Sequence, residues 1–396
     1  MPRQTQNMPF AIDARMLGRE GTGVATYARA LSAALERPGI APLRISDPSC
    51  GKAMVPARPV ERWYRWSEAL ADRPRRLRRS NGELHARDIF RLAQVHFDRH
   101  GTMLRLIAPG DRGIVHWTYP LPIRIDGWIN IYTVHDAIPI TRPALSQIDP
   151  RRHRRLLEAL AGCAEHILTV SEAARRDIID ALGCDPDVIS ACLPGLSVQP
   201  EASPLPPGLS KEGYLLFVGS VEPRKNLLRL AEAYVASGSP LPLVIAGPDG
   251  WRADEITPRL AATPGIIRMP YVDRPLLMSL IAGARALLFP TITEGFGLPI
   301  VEAMQLGTPV LTSRGGATEE VAGGAALLAD PLSVPELAAQ IRSLADPTLL
   351  AALKSRGVAR GANFTVRAFA DRLNQVHERL LTGNGGQIVS RPLPAA

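Results

Sequence analysis

The sequence predicts an α/β protein built from two consecutive doubly wound parallel sheets. Strand patterns alternate with helix patterns through residues 8–197, and a second alternating series runs through residues 212–365. Residues 198–211, between the two series, are rich in proline and serine without apolar periodicity, which is typical of a linker. A chain of 396 residues also exceeds one ordinary core. We therefore expect two Rossmann-like domains, 1–197 and 212–365, that face each other across one cleft.

The first series opens with a strand, a glycine-containing loop and a helix. Residues Met8–Asp13 form the strand and Thr22–Glu36 the helix, which is the opening unit of a doubly wound sheet. The loop lacks the full dinucleotide-binding fingerprint, so a tight turn and an anion-binding loop at Gly21, Thr22 and Gly23 both remain open. Later strands are predicted at Pro42–Ile45, Gly113–Trp117, Trp128–Val134, His166–Val170 and Val188–Leu193, and helices at Asp149–Cys163 and after Ser171.

The second series repeats this alternation after the linker. Strands are predicted at Tyr214–Gly219, Leu241–Ala246, Ile266–Met269, Ala286–Phe289 and Pro309–Thr312, and helices at Lys225–Ala236, Pro275–Ala282, Pro335–Leu344 and Val366–Leu381. Residues 384–396 contain too few apolar side chains to pack and are expected to be a disordered tail.

One stretch of the second series, FPTITEGFGLPIVEAM at residues 289–304, predicts an anion site. A helix begins there at Leu298 and Pro299, and proline suits the first helical position because its missing N–H would have been unpaired anyway. The helix start directs free N–H groups and a positive dipole end beyond the preceding strand. The glycines at 295 and 297 allow a ligand to approach the backbone closely.

Two carboxylates, Glu294 and Glu302, bracket this anion site. A carboxylate repels phosphate but accepts hydrogen bonds from hydroxyl groups, so the combination predicts a ligand with both phosphate and polyol, such as a nucleotide sugar. Glutamates at this spacing are also common on solvated helices. The Gly-Phe-Gly-Leu-Pro turn between the two favours the functional interpretation.

Two further pairs of side chains follow predicted strands. His135 and Asp136 come at the carboxyl end of one strand, where parallel sheets bind ligands, although a lone histidine is more often structural. Arg224 and Lys225 come at a strand-to-helix turn in a chain with four lysines against 42 arginines. Cations at the positive end of a helix dipole are disfavoured unless an anion lies between, so this pair also predicts a bound anion.

On these motifs the chain resembles glycosyltransferase family 4, whose members are retaining enzymes of the GT-B fold. Glu294 and Glu302 match the two ends of the family's E-x7-E signature. The resemblance implies that Glu294 meets the sugar hydroxyls and Glu302 the ribose. It implies that the backbone between them meets the distal phosphate and the sugar, through Phe296, Gly297, Leu298 and Pro299.

The same resemblance gives roles to residues elsewhere in the chain. It implies a diphosphate clamp of Arg224 and Lys225, and a histidine beside the transferred sugar at His135, with Asp136 as an orienting partner. It also implies a base contact from the backbone of Val272, donor contacts from Gly21, Thr22 and Gly23, and a last helix, 366–383, that crosses back to the first domain. One departure from the family pattern is Ser220, where a basic residue is frequent.

The implied activity is hexosyl transfer, without a cofactor, from a nucleotide sugar to a glycan or polyprenyl-diphosphate-linked acceptor. We expect it to be metal-independent, because basic side chains and a helix dipole already offset the diphosphate charge. The VEPRKN and TVHDAIP segments are similar to those of bacterial mannosyltransferases of surface-polysaccharide assembly, which favours GDP-mannose. A UDP- or dTDP-sugar donor, a nucleotide-sugar epimerase or hydrolase, and a silent glycan-binding protein remain alternatives. A metal-dependent transferase would need an Asp-x-Asp site, and Asp185-Pro-Asp187, the candidate, is typical of a turn.

Charge and hydropathy suggest where the protein works. Residues 58–79 contain eight arginines against three acids, with Trp63, Tyr64 and Trp66 among them, which predicts docking on an anionic membrane surface. Two observations oppose this prediction: Pro74 would break a helix, and tryptophans at this spacing also occur in hydrophobic cores. No nucleic-acid-binding motif accompanies the charge. With no signal peptide and no apolar run long enough to span a bilayer, we expect a cytoplasmic protein on the inner face of the plasma membrane.

Overall fold

The computed structural model describes residues 8–18, 21–36, 41–48, 71–198 and 203–382. The prediction of two doubly wound sheets is confirmed. The strands of the first part are β1 (Phe10–Asp13), β2 (Leu43–Ser46), β3 (Arg75–Arg76), β4 (Arg78–Ser80), β5 (Glu83–His85), β6 (Leu104–Ile107), β7 (Ile114–Trp117), β8 (Ile123–Ile125), β9 (Ile129–Val134), β10 (His166–Thr169) and β11 (Ile189–Ala191). Its helices are α1 (Gly23–Leu35), α2 (Ile89–His100), α3 (Ile138–Thr141), α4 (Pro150–Cys163) and α5 (Glu172–Leu182).

The main sheet of the first part has the strand order β11-β10-β9-β7-β1-β2-β5-β4. All of its neighbours pair in parallel except β4 and β5. The chain moves outward from β1 first to one side and then, from β7, to the other, so the strand order reverses between β1 and β7. Strands β3, β6 and β8 form a separate small sheet. A reversal of this kind leaves a crevice at the carboxyl ends of the two central strands, where ligands bind in open α/β sheets.

The second part contains strands β12 (Leu215–Val218), β13 (Leu243–Ala246), β14 (Ile266–Met269), β15 (Ala286–Phe289), β16 (Val310–Ser313) and β17 (Leu327–Ala329). Its helices are α6 (Leu227–Ser237), α7 (Thr257–Ala261), α8 (Arg274–Gly283), α9 (Leu298–Gln305), α10 (Gly316–Ala322), α11 (Val334–Ser343), α12 (Pro347–Gly361) and α13 (Val366–Thr382). The six strands are all parallel in the order β14-β13-β12-β15-β16-β17, which is the order of dinucleotide-binding sheets, with its reversal between β12 and β15.

Local capping chemistry fixes several helix starts that the sequence predicts. Thr22 and Ser171 accept hydrogen bonds from the N–H groups of Ala25 and Ala174 at the starts of α1 and α5. The helix predicted at Lys225–Ala236 starts later, at Leu227. The chain makes a 3₁₀ turn at residues 223–225, and Asn226 then adopts a left-handed conformation that ends it. Lys225 therefore lies in a turn and not in a helix.

The final helix, α13, packs against α1 of the first part. The ring centroids of Phe369 and Tyr27 are 5.9 Å apart. The Nε2 atoms of His377 and His116, both buried, are 2.8 Å apart, so one ring donates its proton to the other. One hydrophobic core consequently continues from β1 and α1 through α13 into the second sheet, and another lies on the opposite face of the first sheet. The predicted tail lies outside the described residues.

The two parts also meet at the start of α5. The Ser171 hydroxyl donates to the carbonyl of Gly295 at 2.7 Å. The Glu320 carboxylate, on α10, accepts from the backbone N–H groups of Glu172 and Ala173 at 2.8 Å each. A side chain of the second part thus satisfies the first amides of a helix in the first part, which would otherwise be unpaired. A Cβ atom at Gly295 would lie 2.3 Å from the carbonyl oxygen of His135.

We expect Gly295→Ala to force this contact apart. The added methyl meets a backbone atom that cannot rotate away, and overpacking of this kind costs about 1–3 kcal/mol. Hydrogen exchange should accelerate at the amides of Glu172 and Ala173, with a lowered melting temperature. Gly357→Ala is the control, since its Cβ would meet Met304 at an ordinary 3.6 Å. Exchange at these two amides that is unchanged in the Gly295 variant would contradict the described approach of the two parts.

Candidate active site

The candidate site lies where the second sheet reverses its strand order, at the carboxyl ends of β12 and β15. The loops that leave these strands are joined to each other. The Ile292 N–H donates to the carbonyl of Arg224 at 2.8 Å, and the Asn226 side chain donates to the carbonyl of Pro290 at 2.9 Å. Residues from both loops are therefore held in one fixed arrangement at the crevice.

A buried cluster of charges connects the two loops. Glu294 accepts from Arg224 Nη1 and from Lys225 Nζ, each at 2.6 Å. Glu222 holds the other side of the guanidinium, at 2.8 Å from Arg224 Nη2. The side chains of Lys225 and Glu294 are each only 9% exposed, and Lys225 Nζ lies 4.9 Å from the ring centroid of Phe289. Because these charges have lost most of their water, each depends on its partner.

The environment of Glu294 keeps its carboxylate ionised. Burial alone would raise the pKa of Glu294, but the charges and hydrogen bonds of Lys225 and Arg224 outweigh burial and lower it. Burial lowers the pKa of Lys225, and the charge of Glu294 opposes that change. The two cations of the cluster, Arg224 and Lys225, therefore face two carboxylates, Glu222 and Glu294, and Glu294 contacts both of them.

Glu302 lies in a different environment, inside the first turns of α9. Its carboxylate accepts from Arg274 Nη1 at 2.5 Å and its side chain is 5% exposed. Burial raises the pKa of Glu302, and Arg274 only partly offsets this. The two signature carboxylates thus differ in charge environment, which fits different tasks at one bound molecule.

The start of α9 meets the glycine loop of the first part. Gly297 has a φ of 109°, a conformation open to glycine, and Leu298 and Pro299 begin the helix as predicted. A Cβ atom at Gly23 would lie 3.5 Å from Leu298 Cδ1, so the loop and the helix start are in contact. Phe296 is buried and its ring packs against Phe364. The predicted residues of these two segments therefore come together.

His135 faces the same region from the first part. Its Nε2 lies 2.8 Å from the carbonyl oxygen of Thr118, so Nε2 carries the proton and Nδ1 is left as an acceptor. Burial lowers the pKa of His135 to about 4, which makes the ring neutral at pH 7. The N–H of Thr118 in turn donates to buried Asp13 at 2.5 Å. The expected orienting role of Asp136 is wrong, because the carbonyl of Thr118 binds the ring, and Asp136 accepts from the N–H of Ile138 and forms no hydrogen bond with His135 within the described ranges.

The predicted base contact and the departure at Ser220 lie in the loops after β14 and β12 of the second sheet. Val272 is half-buried in the loop after β14, beside Tyr271, which is 81% exposed. Ser220 donates to Glu222 at 3.3 Å, so it supports the carboxylate that holds Arg224. At position 220, where a basic residue is frequent in the family, a serine thus supports Glu222. Arg224 is held by two carboxylates, Glu222 and Glu294.

Among the described residues there is no cluster of three or more His, Cys, Asp or Glu side chains that could hold a metal ion. Asp185 accepts from the N–H of Asp187 at 3.0 Å within a 3₁₀ turn. No helix in the part of the chain that the structure describes is both long and apolar enough to cross a membrane.

The sequence did not predict four interactions at or near the site. Glu222 and Arg274 each pair with a signature or clamp residue, Asp13 binds the backbone that orients His135, and Glu320 joins the two parts. Glu222 stands in the VEPRKN segment, directly before the proline of the turn, and Asp13 ends a strand, so both carried a signal. The partners of Arg274 and Glu320 are 28 and 147–148 residues away in the chain, and nothing local identifies them.

Residues 212–346 match the family of glycosyl transferases group 1. O-antigen chain mannosyltransferase B of Escherichia coli is 33% identical over 270 residues, which cover 62% of this chain and 68% of that protein. A D-inositol 3-phosphate glycosyltransferase of Acidothermus cellulolyticus is 28% identical, over 59% of this chain and 58% of that relative.

Solved structures show the same fold. A sucrose-phosphate synthase from Thermosynechococcus elongatus superposes with a TM-score of 0.69 at 18% identity, over 96% of this chain and all of that one. A trehalose-6-phosphate structure from E. coli, bound with UDP-2-fluoro glucose, has a TM-score of 0.62 at 12% identity, over 93% and 98% of the two chains. At these identities the likeness concerns the architecture alone.

Proposed function

Because this chain belongs to the group 1 glycosyl transferases, we propose that it moves mannose from GDP-mannose to a hydroxyl of a lipid-linked glycan, with retention of configuration. The observation that carries the proposal is the cluster of Arg224, Lys225 and Glu294 at the strand-order reversal of the second sheet, beside the start of α9. The mannosyltransferase of E. coli, at 33% identity, supports mannose as the sugar.

The proposed reaction depends on stabilising the diphosphate that leaves. As the bond between the sugar and its phosphate breaks, negative charge grows on the phosphate oxygens. Arg224, Lys225 and the N–H of Leu298 at the start of α9 stabilise that charge from fixed positions. The same positive charge makes a metal ion unnecessary for this step, so we propose a metal-independent reaction.

Glu294 and the donor diphosphate then compete for the same two cations. In the free protein, Glu294 neutralises Arg224 and Lys225. In the proposed complex the diphosphate takes over these contacts, and the released Glu294 oxygens accept hydrogen bonds from sugar hydroxyls. Neutral His135 accepts from another sugar hydroxyl at Nδ1, and Glu302 accepts from the ribose. The acceptor oxygen bonds to the sugar carbon on the same face that the diphosphate leaves, as the bond to phosphate breaks, and the leaving phosphate receives the proton of the acceptor hydroxyl. Attack from this face keeps the configuration of the sugar without a protein nucleophile.

The donor is tested by thermal unfolding with a panel of GDP-, UDP- and dTDP-sugars. A ligand at 100 times its Kd stabilises the folded state by about 2.7 kcal/mol, so the true donor should raise the melting temperature well above the others. Transfer with that donor should continue in EDTA. Activity that EDTA abolishes and Mg²⁺ or Mn²⁺ restores would refute metal independence. Release of free sugar at the full rate without an acceptor would favour a hydrolase.

Exchanging each signature carboxylate for its amide should separate their roles. Ribose contacts are shared by the ground state and the transition state, so Glu302→Gln should raise the KM for the donor and leave kcat close to normal. Sugar contacts position the reacting carbon, so Glu294→Gln should lower kcat by about 10²-fold or more, the loss typical of one stabilising contact in the transition state. Wild-type kinetics in both variants would overturn the assignment.

We also propose that the first part docks on an anionic membrane, where lipid-linked acceptors reside. Residues 58–70 of the arginine-rich segment, with its aromatic residues, lie outside the described residues. The described remainder exposes Arg76, Arg78 and Arg79 around β3 and β4. Aromatic rings beside arginines suit the headgroup region of a bilayer, and each basic residue near an anionic leaflet contributes roughly 1 kcal/mol.

Changing Arg73, Arg76, Arg78 and Arg79 to Gln should release the protein from anionic liposomes at low salt. The control carries the same four changes at exposed arginines of the second part, Arg252, Arg259, Arg342 and Arg356, and should stay bound. Co-sedimentation measures the difference. Equal release in both variants, or no binding by the wild type, would rule out this docking surface.

A further inference from the structure

Arg15 lies at the second crevice of the molecule, the strand-order reversal of the first sheet. It follows β1 by two residues, and Tyr119 follows β7 by two residues, so both stand at the carboxyl ends of the two central strands. The guanidinium carbon of Arg15 lies 5.7 Å from the ring centroid of Tyr119 and 5.7 Å from that of Phe90. Two aromatic rings therefore hold this half-buried cation at the edge where such sheets bind ligands.

The charge of Arg15 is available to a ligand. Within the ranges that the structure describes, its guanidinium donates no hydrogen bond and forms no ion pair. The cations on the opposite side of the cleft differ, because Arg224 and Lys225 pair with Glu294, and Arg274 pairs with Glu302. The nearest acid in sequence, Asp13, attracts Arg15 electrostatically, but it accepts hydrogen bonds from the backbone N–H groups of Thr118 and Arg15 and not from the guanidinium.

Arg15 is also close to the chain segment that orients His135. Tyr119, whose ring contacts Arg15, directly follows Thr118, whose carbonyl binds His135 Nε2. The cation thus lies on the first-domain side of the cleft, across from the clamp of Arg224 and Lys225. A guanidinium that stacks on aromatic rings directs its N–H groups outward in its own plane. Two of these N–H groups can donate to two oxygens of one phosphate.

We propose that Arg15 binds a phosphate group of the acceptor. The inference rests on the proposed function, in which the acceptor is a glycan on a diphosphate-linked lipid and the second domain binds the donor. The cleft then has two phosphate sites with different ligands. Arg224 and Lys225 bind the leaving diphosphate, and Arg15 binds the acceptor so that its hydroxyl approaches the sugar from the first domain.

The test uses the full chain with GDP at a saturating concentration, so that the donor site is filled, and titrates farnesyl diphosphate by calorimetry. Arg15→Gln should raise the Kd of farnesyl diphosphate at least tenfold, and Arg15→Lys, which keeps the charge but not the two-pronged geometry, should raise it less. Arg112→Gln is the matched control, because Arg112 is an exposed arginine of the same domain and at the opposite end of β7. Its Kd should stay within twofold of the wild type.

Two companion titrations assign the site. The Kd of GDP should be the same in all four proteins, and farnesol, which lacks the phosphates, should bind without sensitivity to Arg15. No saturable binding of farnesyl diphosphate to the wild type, an unchanged Kd in Arg15→Gln, or an equal loss of GDP affinity in that variant would overturn the inference. Failure of the wild type to bind GDP or another nucleoside diphosphate would instead count against the proposed function. The two failures are distinguishable, because the inference is tested by farnesyl diphosphate binding and the donor site by nucleoside diphosphate binding.

Discussion

The ion pairs of Glu294 with Arg224 and Lys225 are the constraint on which the site depends. They join the loops after β12 and β15, where the strand order of the second sheet reverses. Two cations that have lost their water are costly without a partner. Glu294 supplies that partner in the free protein and keeps both side chains charged and fixed. On the proposed function, the diphosphate of a donor displaces Glu294 from cations that are already in position.

A second requirement is that the first domain reaches the same place. Gly295 provides it, because the absence of a side chain lets the backbone of His135 approach the loop that carries Glu294. The hydrogen bonds of Ser171 and Glu320 hold this approach from the start of α5. Helix α13 and the pair of His116 and His377 attach the chain end to the first sheet. The crevices at the two strand-order reversals, which we propose bind donor and acceptor, are consequently parts of one cleft.

The sequence predicts well those features that short-range rules determine. Strand β15 and the start of α9 have their predicted bounds, because an apolar run, two glycines and a first-turn proline leave little choice. Helix α12 was missed since it contains Gly357, and β3 and β4 because they are short and rich in arginine. The start of α6 was misplaced because the left-handed conformation of Asn226 is not visible in the sequence.

Site residues divide in the same way. Glu294, Glu302, Arg224 and Lys225 belong to contiguous motifs, so residue type and spacing select them as candidates, and the fold brings Arg224 and Lys225 against Glu294. The partners of these residues could not be selected, since Arg274 meets Glu302, and Arg15 meets Phe90 and Tyr119, only after the chain has folded. The error at Asp136 has the same origin. A carboxylate beside a histidine suggested an orienting pair, whereas the fold gives that role to the carbonyl of Thr118.

Competition between Glu294 and the donor diphosphate is the central claim, and calorimetric titration of GDP into the wild type and Glu294→Gln tests it most directly. Glu294 contacts Arg224 Nη1 and Lys225 Nζ, the atoms that we propose bind the diphosphate. Removing the carboxylate charge should therefore tighten GDP binding severalfold, even though transfer is impaired. A Kd for GDP that is unchanged or weaker in Glu294→Gln would contradict the account.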